Sequence, residues 1–230
     1  MFFVEGSTNV LDFLQSDFSF IELFATKDWF QKHSAGIQKE SATIVSTSEL
    51  KKISALKTPS EVFAIFELPD RSFNGMLITD NLSIALDNIS DPGNLGTIIR
   101  TADWFGINHI YCSENTVDAF NPKVVQATMG SLARVKVTYN NLDKLFASKP
   151  NELQIFGAVL NGTPITEIKP QASGIILIGS ESHGISSELL QYINHKITIP
   201  MFNEDTTNQP ESLNASIANA IICYSLKTKN

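Results

Sequence analysis

This 230-residue chain is short of cysteine, histidine and positive charge, and each shortage excludes a class of function. Its two cysteines, Cys112 and Cys223, cannot build a disulfide framework or a thiolate metal cluster. Both sit in apolar runs ("HIYC", "AIICYSL") that favour a small buried hydrophobe. The four histidines, His33, His109, His183 and His195, are scattered without an HxxxH spacing, so no metal is expected. No apolar run approaches the roughly 18 residues of a membrane span. The opening "MFFVEGSTNVLDFLQ" has neither the basic n-region nor the long h-region of a secretory signal. A cytoplasmic protein without membrane contact is the expectation. Neither a GxxxxGK loop nor a GxGxxG turn occurs, which argues against a phosphate loop and against a Rossmann-type enzyme acting on a small molecule. The formal net charge of -7 counts against a broad basic surface: the first 72 residues hold seven Lys/Arg against ten Asp/Glu, the remainder ten against fourteen. Lys51 and Lys52 with Lys57 form the only tight cluster and fit a solvated helix face. Any nucleic-acid partner must therefore meet a local patch.

What is present is an ordinary globular composition, 43% hydrophobic and 18% charged, long enough for one large domain or two small ones. Short apolar runs alternate with amphipathic stretches from end to end, the pattern of an α/β fold. "FSFIELFA" (18–25), "ATIV" (42–45) and "EVFAIFEL" (61–68) read as strands, and Ser46 with Glu49 three residues on forms a capping box ahead of Leu50, Ile53 and Leu56. "PDRSFNG" (69–75) has no apolar periodicity and is the expected linker, dividing the chain into domains 1–72 and 76–230. Beyond it, strands are expected at 109–112, 133–139, 153–160, 174–179 and 195–200, with Asn121–Pro122 starting a helix between two of them. The stretch 212–227 reads as a long helix with apolar residues at 213, 217, 220, 221 and 224. Runs such as "IILIG" imply strands buried on both faces, hence a mostly parallel sheet with helices above and below.

Three segments could carry chemistry. In "DNISDPGNLGTIIRTADWFG" (87–106), Asp91, Pro92, Gly93 and Asn94 form a turn in which Gly93 takes a positive φ and Asn94 caps a helix that Gly106 ends; free amides there suit a polar ligand. Spacing alone pairs Arg100 with Asp103 in a purely structural role. In "IILIGSESHGISSELL" (175–190), a buried strand ends at Gly179, where a ligand can approach the backbone, followed by Glu181, which could equally be a surface charge or a cap. In "ITIPMFNEDTTNQPESLNASIANAI" (197–221), Ser212 and Asn214 stand at the start of the last helix, and Ser212 has the residue type of an N-cap.

Taken together, in this order and at these separations, the three segments resemble the motifs of the SpoU/TrmH family of RNA ribose 2′-O-methyltransferases in the SPOUT superfamily. The N-terminal part, with "FFVEG" at 2–6 and "ELKKISALKTPSEVFAIFE" at 49–67, resembles the small α/β ribosomal-protein-like RNA-binding domain of many members. The resemblance implies a C-terminal trefoil knot that composition and topology rules would not have proposed. It also implies S-adenosylmethionine held near Gly179, Ile199, Leu213 and Met201, a catalytic set of Asn94, Arg100, Glu181, Ser212 and Asn214, a homodimer that brings Arg100 to the subunit interface, and rRNA or tRNA as substrate. In that setting Arg100 would bind a phosphate and the incipient oxyanion, since a guanidinium does not give up its proton. Arg134 and Lys136 would add to a basic patch. Two features depart from the pattern: the acidic stretch between Pro200 and Ser212 is longer than usual, and Thr128 stands where serine is common. A catalytically silent RNA-binding or ribosome-assembly protein with the same fold is the alternative.

Overall fold

The computed structural model describes residues 1–34, 37, 41–70, 77–203 and 211–227. Residues 71–75 of the expected linker, with residue 76, and residues 204–210 of the acidic stretch lie outside the described residues.

Two sheets organise the chain. The first contains β1 (Phe2–Glu5), β2 (Phe20–Ala25), β3 (Ala42–Ile44) and β4 (Val62–Phe66) in the order β1-β4-β2-β3. β4 runs antiparallel to β1 and β2, and β2 parallel to β3. Helices α1 (Ser7–Leu14), α2 (Lys27–His33) and α3 (Thr47–Ile53) fill the connections, and the Ser46/Glu49 capping box forms as the sequence predicts.

The second sheet holds β5 (Leu82–Leu86), β6 (His109–Ser113), β7 (Lys136–Asn140), β8 (Ile155–Pro164), β9 (Gly174–Ile178) and β10 (His195–Thr198) in the order β10-β8-β9-β5-β6-β7. Every neighbouring pair in it is parallel, as the runs buried on both faces imply. α4 (Pro92–Trp104), α5 (Pro122–Thr128), α6 (Leu142–Ala147), α7 (Ser187–Leu190) and α8 (Ala215–Lys227) complete it. Asn121 caps α5 through its side chain, with Pro122 in the first turn. Cys112 and Cys223 are buried thiols. Among the described residues no helix is long and apolar enough to cross a membrane.

The sheets share one apolar core. Phe2, Val10 and Phe13 meet Phe120, Val124 and Leu132, with the Phe2 and Phe120 rings 4.6 Å apart. Outside this core, Arg134 clamps α1 to α4 through Asp12 (3.0 Å) and Asp103 (2.9 Å).

Three local expectations need correction. The strand expected from Ala133 begins only at Lys136: Met129 (φ 50°) and Gly130 (φ 89°) turn the chain after α5, and Ser131–Ala133 forms a 3-10 turn. The first residues, "FFVE", form a strand that the apolar pattern alone does not mark. In α8 the buried residues are Ala215, Ser216, Asn219, Ile222, Cys223 and Leu226, while Leu213 precedes the helix and Ile217 and Tyr224 stand exposed. The inward face admits Ser216 and Asn219 because it packs closely on α4, so a count of apolar residues picks the wrong face.

Candidate active site

Three segments converge where β9, α4 and α8 meet. At the first, Asp91 rather than Asn94 is the N-cap: its carboxylate accepts the Asn94 N–H at 2.8 Å, and Pro92 follows it. Proline holds the preceding residue extended, which is the backbone an N-cap requires. Gly93 is not among the residues of positive φ, and Gly106 (φ 64°) ends the helix as expected. Relieved of capping, the Asn94 amide points away from its own helix and donates to Glu181 Oε1 at 3.0 Å.

At the second, Gly179 closes β9. A Cβ there would lie 2.1 Å from the carbonyl carbon of Gly184, so the bare α-carbon admits the chain's own backbone rather than a ligand. The resulting turn is closed by Ser180 N–H to Gly184 O (3.1 Å) and Gly184 N–H to Ser180 O (2.8 Å), with Gly184 at φ 68°. Asp87, buried at the end of β5, accepts the Ser186 N–H at 2.7 Å and fixes the far end of the turn. Sequence reading passed over Asp87, although a carboxylate at the end of a buried strand was its signal.

At the third, Asn214 takes the cap expected of Ser212. Its Oδ1 accepts the N–H groups of Ser216 (3.0 Å) and Ile217 (3.3 Å), because the helix starts at Ala215 and not earlier. Its Nδ2 donates to Glu181 Oε1 (2.6 Å) and to Asn94 Oδ1 (2.8 Å), and the Ala215 N–H reaches the same Glu181 oxygen at 3.1 Å. One carboxylate oxygen therefore gathers donors from α4 and from the start of α8. Charge-assisted bonds of this kind are about twice as strong as neutral ones, which is how an exposed triad keeps one arrangement.

Beside the triad lies a cavity of about 590 Å³ lined by Gly179, Glu181, Ile199, Ser212 and Leu213, all predicted, together with residues of β8 and β10. Small-molecule sites typically occupy about 300–1,000 Å³. Lys196 and His183 also line it and were not singled out from sequence. Met201 is 52% exposed and lies outside the lining. Arg100 is exposed on α4, outside the lining, with no hydrogen bond or ion pair to a described residue. Its expected partner Asp103 instead accepts from Arg134 through three contacts of 2.9, 3.0 and 3.3 Å. Arg134, offset by Asp12 and Asp103, is thereby committed to a structural clamp rather than an open basic patch, and this pairing raises its pKa further. Thr128 is fully buried and its hydroxyl donates to Val125 O at 2.8 Å, a local bond that serine would make equally well. Among the described residues no group of three or more His, Cys, Asp or Glu could hold a metal ion.

Known proteins share this architecture. Residues 81–224 match the SpoU rRNA Methylase family, and residues 1–64 match an MRM3-like substrate binding domain. A 23S rRNA (guanosine(2553)-2′-O)-methyltransferase of Bacillus subtilis is 31% identical over 186 residues, which cover 80% of this chain and 71% of that protein. A TrmH-family structure from Porphyromonas gingivalis superposes with a TM-score of 0.86 at 34% identity, covering 98% of this chain and 89% of the other. An AdoMet-bound rRNA methyltransferase from Sinorhizobium meliloti superposes with a TM-score of 0.82 at 27% identity, covering 98% and 86%. With the family match extending over well more than half of its length, the chain belongs to the SpoU rRNA methylase family.

Proposed function

We propose that this protein transfers the methyl group of S-adenosylmethionine to a ribose 2′-hydroxyl of ribosomal RNA. The observation that carries the reading is the Asn94–Glu181–Asn214 triad, drawn from three distant segments onto the rim of the 590 Å³ cavity. Ribosomal RNA is favoured over tRNA by relatives named for 23S rRNA and by the match of residues 1–64 to a substrate binding domain.

The cavity suits the cofactor in size and in its mixture of buried isoleucines (Ile178, Ile197, Ile222) with polar backbone and side chains. Gly179, Ile199 and Leu213 would hold it, with Met201 close by. Bound there, S-adenosylmethionine supplies an electrophilic methyl group on a sulfonium. The protein's part is to bring up the ribose and to stabilise charge growing on its oxygen. Glu181 anchors the triad, Asn94 orients the ribose, and Ser212 and Asn214 fix the segment beside the donor. Arg100 binds the flanking phosphate and the developing oxyanion by electrostatic preorganisation.

Arg100 lies outside its own chain's cavity, so the site is completed by a second copy. Support for this homodimer comes from large apolar side chains exposed on α4, which carries Arg100, and on α8, which packs against it: Trp104 (85%) and Ile217 (51%). The C-terminal knot is part of the same reading. Its support is the tight passage of Gly162 in β8 against Lys196 and Ile197 of β10, where a Cβ would lie 2.7 Å from Lys196 O. The two separate sheets support domains 1–72 and 76–230, the first for RNA and the second for transfer. A cytoplasmic setting accords with an rRNA substrate and two unpaired buried thiols.

The test has two arms: calorimetric titration with S-adenosylmethionine, and mapping of 2′-O-methyl groups in rRNA from cells with and without the gene. Cofactor binding together with the loss of one rRNA methyl group is the expected result. RNA binding without cofactor binding would identify the catalytically silent alternative.

A further inference from the structure

Transfer to a 2′-hydroxyl releases a proton, and the reading above leaves it without an acceptor. A guanidinium cannot take it. Within the cavity the described side chains that titrate are Glu181, Glu211, Lys196 and His183. Glu181 already accepts three donors on Oε1 and is committed to holding the triad together. Lys196 offers only donors in its ammonium form. Glu211 makes no hydrogen bond to a described residue that would aim it. His183 differs in both respects. It sits in the Ser180–Gly184 turn, two residues from Glu181, and its N–H donates to Ser180 Oγ at 3.2 Å, which fixes its backbone. Its ring Nδ1 lies 2.7 Å from the Ser182 hydroxyl. The hydroxyl can accept from Nδ1–H or donate to Nδ1, so it holds the ring in either tautomer; where it accepts, Nε2, the other ring nitrogen, carries the lone pair that a base requires.

We propose that His183 is the proton acceptor of the transfer, its ring steadied at the cavity by Ser182; this rests on the methyltransferase reading. As the ribose oxygen attacks the methyl carbon, the carbon–sulfur bond breaks and its electron pair stays on sulfur as the thioether. The 2′-hydroxyl proton passes to Nε2, and the imidazolium returns it to water through the exposed rim on which His183 stands.

The experiment measures single-turnover methyl transfer from tritium-labelled S-adenosylmethionine to rRNA from cells lacking the gene, across pH 5.5–9, for the wild type, His183→Gln and Ser182→Ala. General base catalysis is worth typically about 100-fold to 10,000-fold. His183→Gln is expected to lose at least about 100-fold at neutral pH and the imidazole inflection in the pH profile, with calorimetric cofactor affinity unchanged. Ser182→Ala is expected to lose less while keeping the inflection. An unchanged rate and profile in His183→Gln overturns the assignment, and so does a rate loss that keeps the inflection or merely follows weakened cofactor binding. If the wild type neither binds the cofactor nor methylates this RNA, the methyltransferase reading falls and the proton acceptor with it; a normal wild type beside an unaffected His183→Gln removes the acceptor alone.

Discussion

Gly179→Ala puts the architecture of the cavity to a quantitative test. A Cβ at this position would stand 2.1 Å from Gly184 C, 2.2 Å from Gly184 O and 2.3 Å from Ile185 N, all backbone atoms that cannot rotate aside. Carbon atoms in contact prefer about 3.5–4.0 Å, so the 180–184 turn must retreat by about 1 Å or more. Overpacking of this kind costs about 1–3 kcal/mol. For a chain of this size each kcal/mol lowers Tm by about 2–4 °C, giving a drop of about 2–12 °C. The turn also carries Glu181 and lines the cavity, and a displacement near 1 Å is worth about 100-fold where groups must be aligned. Methyl transfer should therefore fall by about that factor, and S-adenosylmethionine affinity should fall with it. Gly106→Ala is the matched control: at φ 64° it meets strain of about 1–2 kcal/mol, yet no atom lies within 4 Å of the new Cβ, and the site is outside the cavity lining. Thermal melts and calorimetry of both variants decide the matter. A Gly179→Ala protein that melts and binds like the wild type, or a Gly106→Ala protein that loses as much affinity, refutes the reasoning.

Arg100→Ala should lower single-turnover methylation about 100-fold to 1,000-fold while leaving the melting temperature in place, since the side chain is exposed and makes no hydrogen bond or ion pair to a described residue; wild-type rates in both Arg100→Ala and Arg100→Lys would remove the arginine from the mechanism. Asn214→Asp preserves the Oδ1 cap of α8 but sets a second carboxylate against Glu181, so cofactor affinity should drop with little change in stability, whereas Asn214→Ala should also lose about 1 kcal/mol of helix capping in urea titrations. Equal behaviour of the two variants would show that Asn214 does not divide its work in this way. His109, buried and stacked on Tyr111, has its pKa lowered to about 4, first by burial and then by Lys136. The fold thus favours the neutral ring over an unfolded value of about 6.5, a gap worth about 3 kcal/mol. That contribution is present above pH 6.5 and is lost as pH falls through 4. Urea midpoints of the wild type should decline faster over this interval than those of His109→Gln, and parallel curves would dismiss the effect.

The parallel sheet was legible because β5 and β9 are apolar on both faces, and a run such as "IILI" has no exposed side to disguise it. The triad came from a different source: local position alone gave Asn94 and Asn214 as helix-start residues and Glu181 as a surface charge or cap, and only the resemblance of the three motifs to the family grouped them. What failed was the division of labour inside each turn. Asp91 and Asn94 are both good cap residues, and only the backbone imposed by Pro92 settles which one caps. Ser212 and Asn214 pose the same ambiguity, resolved by where α8 begins. The pairing of Arg100 with Asp103 failed because helical spacing sees only i+3 neighbours, while Arg134 approaches Asp103 from 31 residues away.

These failures share a cause that bears on how the site is built. At α4 and α8, the helix terminus is satisfied in a way that leaves an asparagine amide nitrogen to face the other segment. Asp91 frees Asn94, while Asn214 divides itself, capping with its oxygen and donating with its nitrogen. Glu181 then accepts what both helices offer, joining residues 87 and 33 positions away in the chain. Local rules assign every polar side chain to its own turn, because each turn has a vacancy for it. The convergence shows itself only after the local needs have been met by someone else, which is why the joint pattern of three motifs carried more information than any one turn.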